Sequence, residues 1–407
     1  MQTSLKPDIL QKDALAHADK ILRNCVHCGF CTAVCPTYKI LGNELDSPRG
    51  RIYLIKQILE GEAVKTKVAR HLDRCLMCRS CESICPSGVE YFRLLDLGKS
   101  VVREKLESGP KTKAKKYLIR KFLTSGWYFN SAIKLAAWLK PILPARVKNP
   151  LPGPGAKAIR PKSMSQAQDR VLLLPGCVQP ALAPNINNAT IALLQELRIA
   201  VELDADNSCC GAIDHHLQAK HEAHGRIKTN IDRWHTKLNS GISFIISNIS
   251  GCGATIKDYP EIMRGDAEYT QKAKFIAERT LDIAEYVKDK DLSRFKIKTP
   301  GKIAYHPPCT MQHWQGITGL VEKILEDAGF TLAKINNEHI CCGSAGTYSF
   351  FEPELSHALQ QQKIVDLLKD KPSIIVSSNI GCISHLAGTS KVPVKHWVEL
   401  FTGQIGR

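Results

Sequence analysis

Two short cysteine-rich stretches constrain this chain more than anything else in it. CVHCGFCTAVCP sets Cys25, Cys28, Cys31 and Cys35 before Pro36, and CLMCRSCESICP sets Cys75, Cys78, Cys81 and Cys85 before Pro86. Both fit C-x2-C-x2-C-x3-C-P. In that spacing three thiolates on a tight loop bind three corners of a four-iron cubane, while the fourth cysteine starts the following helix and points at the other cluster. The expectation is two [4Fe-4S] clusters with crossed ligands. Cys25, Cys28, Cys31 and Cys85 would hold the first; Cys75, Cys78, Cys81 and Cys35 would hold the second. Zinc is the competing occupant, but it favours two separated cysteine pairs around one ion. Two complete copies, each with its trailing proline, argue for iron and so for electron transfer.

The chain has 407 residues and 16 cysteines. In a reducing compartment so many cysteines point to metal or catalysis rather than disulfides. The opening residues, MQTSLKPDILQKD, have no apolar signal-peptide core, and no apolar run reaches the ~20 residues that span a bilayer. A cytoplasmic location follows as the default. Net charge is +17, from 56 basic and 39 acidic side chains, which suits nucleic acid, anionic lipid or an acidic partner. Much of the excess is local. Between Lys99 and Lys148 stand thirteen Lys/Arg and two acidic residues, Glu104 and Glu107, interleaved with Tyr117, Phe122, Trp127, Tyr128, Phe129 and Trp138. The stretch reads either as a solvated helical connector or as a basic amphipathic segment in peripheral contact with an anionic membrane. No nucleic-acid-binding motif accompanies it.

The other eight cysteines fall in an internal repeat. RVLLLPGC, SCCG and FIISNISGCG carry Cys177, the pair Cys209 and Cys210, and Cys252; KIAYHPPC, ICCG and IIVSSNIGC carry Cys309, the pair Cys341 and Cys342, and Cys382. The lone cysteine precedes the pair by 32 residues in both copies, and the last follows it by 42 and 40. Spacing that close reads as duplication. Each copy patterns as β–α–β. First strands are expected at Arg170–Leu174 and Lys302–Tyr305, helices at Ala189–Leu197 and Leu320–Ala328, a second strand before each CCG, and third strands at Ile242–Ser247 and Ser373–Ser378. Such alternation predicts parallel α/β sheets, with the cysteines at the C-terminal strand ends where these folds place their sites. The expected architecture is an α-helical ferredoxin-type domain over residues 1–100, with a helix at Arg51–Val64 between the motifs. A basic helical connector and Pro/Gly linker follows over 101–165, then two duplicated α/β cysteine-rich (CCG) domains over 166–295 and 296–407.

Two adjacent and two distant cysteines can converge on one site, and a glycine after the pair gives a tight turn suited to wrapping a metal centre. Cys177, Cys209, Cys210 and Cys252 in one copy, and Cys309, Cys341, Cys342 and Cys382 in the other, are therefore candidates for a further redox or iron–sulfur centre. Buried structural cysteines are the plainer reading. No catalytic residue is assigned. His27 either tunes its cluster by hydrogen bonding or is simply a loop residue. His215, His216, His306, His313 and His385 read as ordinary surface or core histidines. Arg49 and Arg51 are placed to brace a cluster electrostatically.

Two ferredoxin-type motifs followed by two CCG domains resemble the iron–sulfur subunits of flavin-linked dehydrogenases. That family includes the glycolate oxidase iron–sulfur subunits, the small subunits of anaerobic glycerol-3-phosphate dehydrogenase and subunits of heterodisulfide reductase. The stretches ILRNCVHCGFCTAVCPTY, SPRGRIYLIKQILEG, HLDRCLMCRSCESICPSGV and CCGSAGTY are similar above all to the glycolate oxidase branch. The likeness spans essentially the whole chain and is weakest over residues 101–165. In the heterodisulfide reductase subunits each repeat ends in C-x2-C and holds a non-cubane cluster. Here Ile249 and Asn379 stand three residues before Cys252 and Cys382, which counts against those clusters and against disulfide chemistry.

No Gly-rich dinucleotide fingerprint follows a predicted strand, since PGPG at 152–155 lies in the linker. Oxidising a 2-hydroxy acid releases two electrons and a cubane carries one, so a flavin must stand between. The resemblance implies FAD on the partner flavoprotein subunit only, that subunit oxidising glycolate to glyoxylate. This chain would pass electrons on to a quinone or other acceptor at the cytoplasmic face of the inner membrane. The alternatives are the same role beside a D-lactate or glycerol-3-phosphate dehydrogenase, a CCG-domain reductase with its own catalytic centre, and an assembly module whose CCG domains bind partner subunits.

Overall fold

The computed structural model describes residues 1–106, 109–144, 148–152, 158–164, 166–204, 209–292, 295 and 301–404. The expected domain edges at residues 165 and 296, and the glycines of the PGPG stretch, lie outside the described residues. Two compact units make up the chain, the first combining residues 1–117 with 339–363 and the second 118–338 with 364–407.

The first unit is helical. Lys12–Asn24, Pro48–Leu59, Thr66–Asp73 and Tyr91–Lys105 are its main helices, and Ile21, Leu22, Ile55, Leu59, Leu72 and Leu94 are among the side chains they bury together. At ~1.5–3 kcal/mol for each large side chain withdrawn from water, this core holds two irregular cysteine loops in place. The helix expected between the motifs starts earlier than its apolar pattern because Ser47 caps it. The Ser47 Oγ accepts the Gly50 N–H at 3.0 Å, and Pro48, in the first helical position, has no N–H to satisfy. It also ends sooner, where Gly61 turns left-handed at φ 100°. Tyr91–Lys105 runs past the expected edge at residue 100 and crosses Pro48–Leu59 closely. A β-carbon on Gly98 would stand 2.7 Å from Ile55 Cγ1. Cys35 leads into the helix Pro36–Leu41 as expected. Cys85 does not open a helix: a turn closed by the Gly88 N–H on Cys85 O at 3.2 Å intervenes.

The second unit contains two parallel sheets. β1 (Asp169–Leu174), β2 (Ile199–Leu203), β3 (Phe244–Ser247) and β4 (Thr280–Asp282) lie in the order β2-β1-β3-β4. β5 (Ile303–His306), β6 (Ile374–Ser377) and β7 (Val394–His396) lie in the order β5-β6-β7. Helices Pro184–Glu196 and Leu320–Asp327 follow the first strand of each copy, close to where the pattern puts them. The edge strands β4 and β7 are too short to show a period and are absent from the sequence reading. The second strand forms in the first copy alone. In the other, among the described residues, the chain before Cys341 makes one bridge, Leu332 to Ile303, because Lys334, Asn336 and Asn337 are poor strand formers.

Along β1, Val171 and Leu173 enter one core while Leu172 and Leu174 enter another. A strand covered on both faces reads as an unbroken apolar run. The Val171 side is shared by both repeats, joining Ile246 to Ile303, Val376 and Trp397. The repeats therefore pack as partners over one core. β1 leads to β2 on one side, and β3 lies on its other side. The loops after β1 and β3 thus flank the point where the winding reverses, the place where open α/β sheets bind ligands. Cys177 and Cys252 follow those two strands, and Cys209 and Cys210 follow β2.

Candidate metal centres

The two cysteine loops of the first unit share one backbone shape. His27 and Gly29 in one, and Met77 and Arg79 in the other, have φ of 55°, 86°, 54° and 59°. Consecutive turns of this hand point N–H groups into a concavity. The His27 N–H bonds Cys25 Sγ, and the Met77 N–H bonds Cys75 Sγ at 3.4 Å. The His27 side chain itself is exposed, so what this residue gives the loop is its backbone. Three non-glycine residues held left-handed carry a strain that fits a loop shaped around something.

Each loop borders a cavity. Cys25, Cys28, Cys31 and Cys85 line the first. Cys35, Cys75, Cys78 and Cys81 line the second. The fourth cysteine of each motif lies with the other motif's three. Three thiols from one short loop joined by one from the other, twice over, is the ligand pattern of paired four-iron cubanes, whereas zinc favours two separated cysteine pairs. Burial pushes the Cys31 thiol up to about 11, against the Arg49 N–H that bonds it. Burial also raises Cys81 and Cys78. Four thiolates in such surroundings call for a positively charged core among them. Pro48, Cys81 and Tyr91 line both cavities, so the two adjoin. Cys28 is exposed while Cys35, Cys75, Cys78 and Cys81 are buried, leaving the first cavity at the surface and the second inside.

Arg49 and Arg51, on one helix, serve different cavities. Arg49 lines the first and pairs with Glu44 at 2.5 Å. Arg51 lines the second and is 1% exposed. It donates to His71 O at 2.7 Å and Thr37 Oγ1 at 3.1 Å, and stands 3.6 Å from the Asp46 carboxylate. Burial works against its charge, but Tyr91, Cys75, Cys35 and Asp46 outweigh that and hold its pKa raised.

In the second unit the first repeat brings its four cysteines into one chain of thiol contacts. Cys177 bonds Cys209, Cys209 bonds Cys210, and Cys210 bonds Cys252. Cys209 receives both of its thiol neighbours, as well as the Gly211 N–H and the charge of Arg226, and is held well below an ordinary thiol; Cys177 and Cys210 are pushed up by donating to it. The pair is fixed from behind: Asn230 Nδ2 donates to Cys209 O at 3.0 Å and Tyr259 Oη to Cys210 O at 2.8 Å. A buried amide network, not legible in the sequence, fixes the other two loops. Gln179 Nε2 bridges Asn187 and Asn248 at 2.8 and 2.9 Å, and Asn187 Nδ2 donates to Pro175 O at 3.1 Å. Ile249, three residues before Cys252, is buried and lies over Gly176.

The second repeat's candidates divide between the units: Cys341 and Cys342 belong to the first, Cys309 and Cys382 to the second. In the first unit, Cys341 stands near enough to Cys78 for its charge to add to the burial that raises that thiol. Tyr348 Oη, seven residues on, donates to Arg74 O at 3.1 Å. The glycine of this CCG is required. Gly343 has φ 90°, and a β-carbon there would stand 2.6 Å from Ser356 O. In the second unit, His215 and His216 pack edge to face with Trp314 beyond, as ordinary histidines do. His306 departs from that expectation. It is 1% exposed, neither ring nitrogen has a hydrogen-bond partner among the described residues, and a ring nitrogen lies within 4.8 Å of Cys382 Sγ. Its place at the end of β5, three residues before Cys309, was the available signal.

Residues 21–89 match the family model of a 4Fe-4S dicluster domain, and residues 171–257 and 303–387 each match that of a cysteine-rich domain. The chain is 44% identical over 400 residues to the glycolate oxidase iron–sulfur subunit of Escherichia coli K12, covering 98% of both proteins. It is 29% identical over 394 residues to the probable glycolate oxidase iron–sulfur subunit of Bacillus subtilis 168, covering 89% of this chain and 87% of that one. Lactate utilization protein A of Oceanobacillus iheyensis is 26% identical over 242 residues, 57% of this chain and 96% of that protein. With the cysteine motifs, the duplicated repeat and near full-length similarity in agreement, the chain belongs to the family of glycolate oxidase iron–sulfur subunits.

Proposed function

We propose that this chain is the electron-transfer subunit of a glycolate-oxidising complex. It takes electrons from a partner flavoprotein that converts glycolate to glyoxylate and delivers them to a membrane quinone or a comparable acceptor. The observation that carries the reading is the adjoining pair of four-cysteine cavities, one at the surface and one buried. In this reading Cys25, Cys28, Cys31 and Cys85 hold one [4Fe-4S] cluster, and Cys75, Cys78, Cys81 and Cys35 hold the other. Each cluster, when bound, supplies a one-electron carrier. The chain's own residues place the two carriers side by side, exclude water from the inner one, and set Arg49 and Arg51 beside them. FAD resides on the partner. The four-thiol chain of the first repeat favours a further iron–sulfur centre at Cys177, Cys209, Cys210 and Cys252.

The test is the visible absorbance of the natively purified complex under anaerobic conditions. Bleaching of the iron–sulfur band by glycolate, and not by D-lactate or glycerol-3-phosphate, is expected. Bleaching by lactate instead would move the chain to a lactate-oxidising complex, the reading favoured by the likeness to lactate utilization protein A. Two cubanes alone account for about eight irons per chain. A clear excess that disappears in Cys209→Ser would place a centre in the first repeat.

A further inference from the structure

The segment after the first unit presents apolar side chains outward. Helix Gly126–Trp138 and the turn Lys140–Ile142 expose Trp127 (72%), Leu135 (59%), Trp138 (77%) and Ile142 (78%). Trp127, Leu135 and Trp138, at i, i+8 and i+11 of the helix, share one stripe, and Ile142 follows in the turn beyond its end. Tyr128, also exposed, packs on Trp127 with ring centroids 4.9 Å apart. The opposite side is anchored: Phe129 is buried and meets the Phe122 ring edge-on at 5.3 Å. Exposed hydrophobic residues are ordinarily scattered singly; a contiguous stripe marks an interaction surface.

Charge identifies what the stripe meets. Between Glu107 and Asp169 the sequence has thirteen Lys/Arg and no acidic residue. Lys134 sits within the stripe and is exposed. Tryptophan and tyrosine rings settle at the water–lipid boundary, and unmixed positive charge is drawn to anionic headgroups. The helix has 13 residues, too short to span a bilayer and long enough to lie in its surface. Among the described residues no helix is long and apolar enough to cross a membrane.

We propose that Trp127, Leu135, Trp138 and Ile142, flanked by lysines, seat this chain on an anionic lipid surface with the helix in the plane of the interface. The inference deepens the reading above and rests on it for its purpose, bringing the electron path to a membrane acceptor. Its geometry is independent of that reading.

The test uses the full-length protein with its clusters and vesicles of phosphatidylcholine, with or without phosphatidylglycerol. Flotation with the mixed vesicles, weakening as salt is raised, is expected, as is quenching of tryptophan fluorescence by brominated lipid. Trp127→Ser combined with Trp138→Ser should lower the partition constant roughly tenfold, with unchanged circular dichroism and cluster absorbance. Should that variant misfold, quenching in the unaltered protein decides. Absence of flotation and quenching overturns the proposal. Equal flotation of the well-folded double variant also overturns it, as does binding that requires a partner subunit, which would make the stripe a protein-docking face. Glycolate-driven bleaching is a separate readout, so either reading can fail without the other.

Discussion

Replacing Arg51 by methionine removes a buried cation from the wall of the second cavity while keeping most of its bulk. A cubane held by four thiolates becomes more negative on reduction, so a cation beside it favours the reduced form. Two unit charges roughly 6 Å apart, at an effective dielectric near 20, interact by about 2.8 kcal/mol. At ~2.3 kcal/mol per 100 mV, losing that attraction lowers the potential of the inner cluster by about 120 mV. The outer cluster, flanked by Arg49 instead, should move much less. Stability falls too, but Asp46 is not abandoned. Its carboxylate keeps Arg74 at 3.1 Å and His71 at 3.0 Å, so the cost belongs at or below the low end of the ~3–5 kcal/mol typical of a broken buried pair. An anaerobic redox titration followed by electron paramagnetic resonance reads the two clusters separately. Arg51→Lys keeps the charge but cannot reproduce the fork to His71 O and Thr37 Oγ1; its potential should move by less. Unchanged potentials in Arg51→Met with full iron content would refute the electrostatic argument. An equal shift in Arg51→Lys would show that geometry rather than charge sets the potential.

Three further outcomes are expected. Cys85→Ser should remove the outer cluster, with a loss of about four irons and the inner signal retained; loss of the inner signal instead would overturn the crossed ligation. Asp282→Asn should make stability less pH-dependent. Burial pushes the Asp282 carboxyl up to about 7, so the folded chain binds this proton more tightly than the unfolded one, and the wild type loses stability as pH rises from about 4 to 7. The asparagine variant should gain on it across that range by up to about 4 kcal/mol; a difference independent of pH in thermal unfolding would rule this out. Gly343→Ala should cost roughly 2–5 kcal/mol, from the left-handed backbone and the contact with Ser356 O and Leu359 Cβ; an unshifted denaturant midpoint would mean that the turn relaxes freely.

The cavities were legible because their determinants are local. Three ligands sit on one eleven-residue loop, and the spacing that names the cluster also implies that the fourth cysteine crosses over. The strands before Cys177, Cys252, Cys309 and Cys382 were legible because a strand buried on both faces must be apolar throughout. β4 and β7 were not, since three residues carry no period. Gln179, Asn187 and Asn248 look ordinary in sequence, and they become a buried network only when Asn248 folds back onto Asn187, 61 positions away, and Gln179, 69 positions away. His306 looked ordinary for the same reason: its isolation from hydrogen-bond partners is a property of what surrounds it.

By itself the sequence determined the iron–sulfur cofactor class, the duplicated α/β repeats and the family, because each depends on residue types at fixed short spacing. The tertiary structure decided which charges face which cavity, that Arg51 is buried while Arg49 is not, that the thiols of the first repeat meet in one chain, and that tryptophans interleaved with lysines turn outward. Those are relations between segments distant along the chain, set by packing, and no local pattern encodes them.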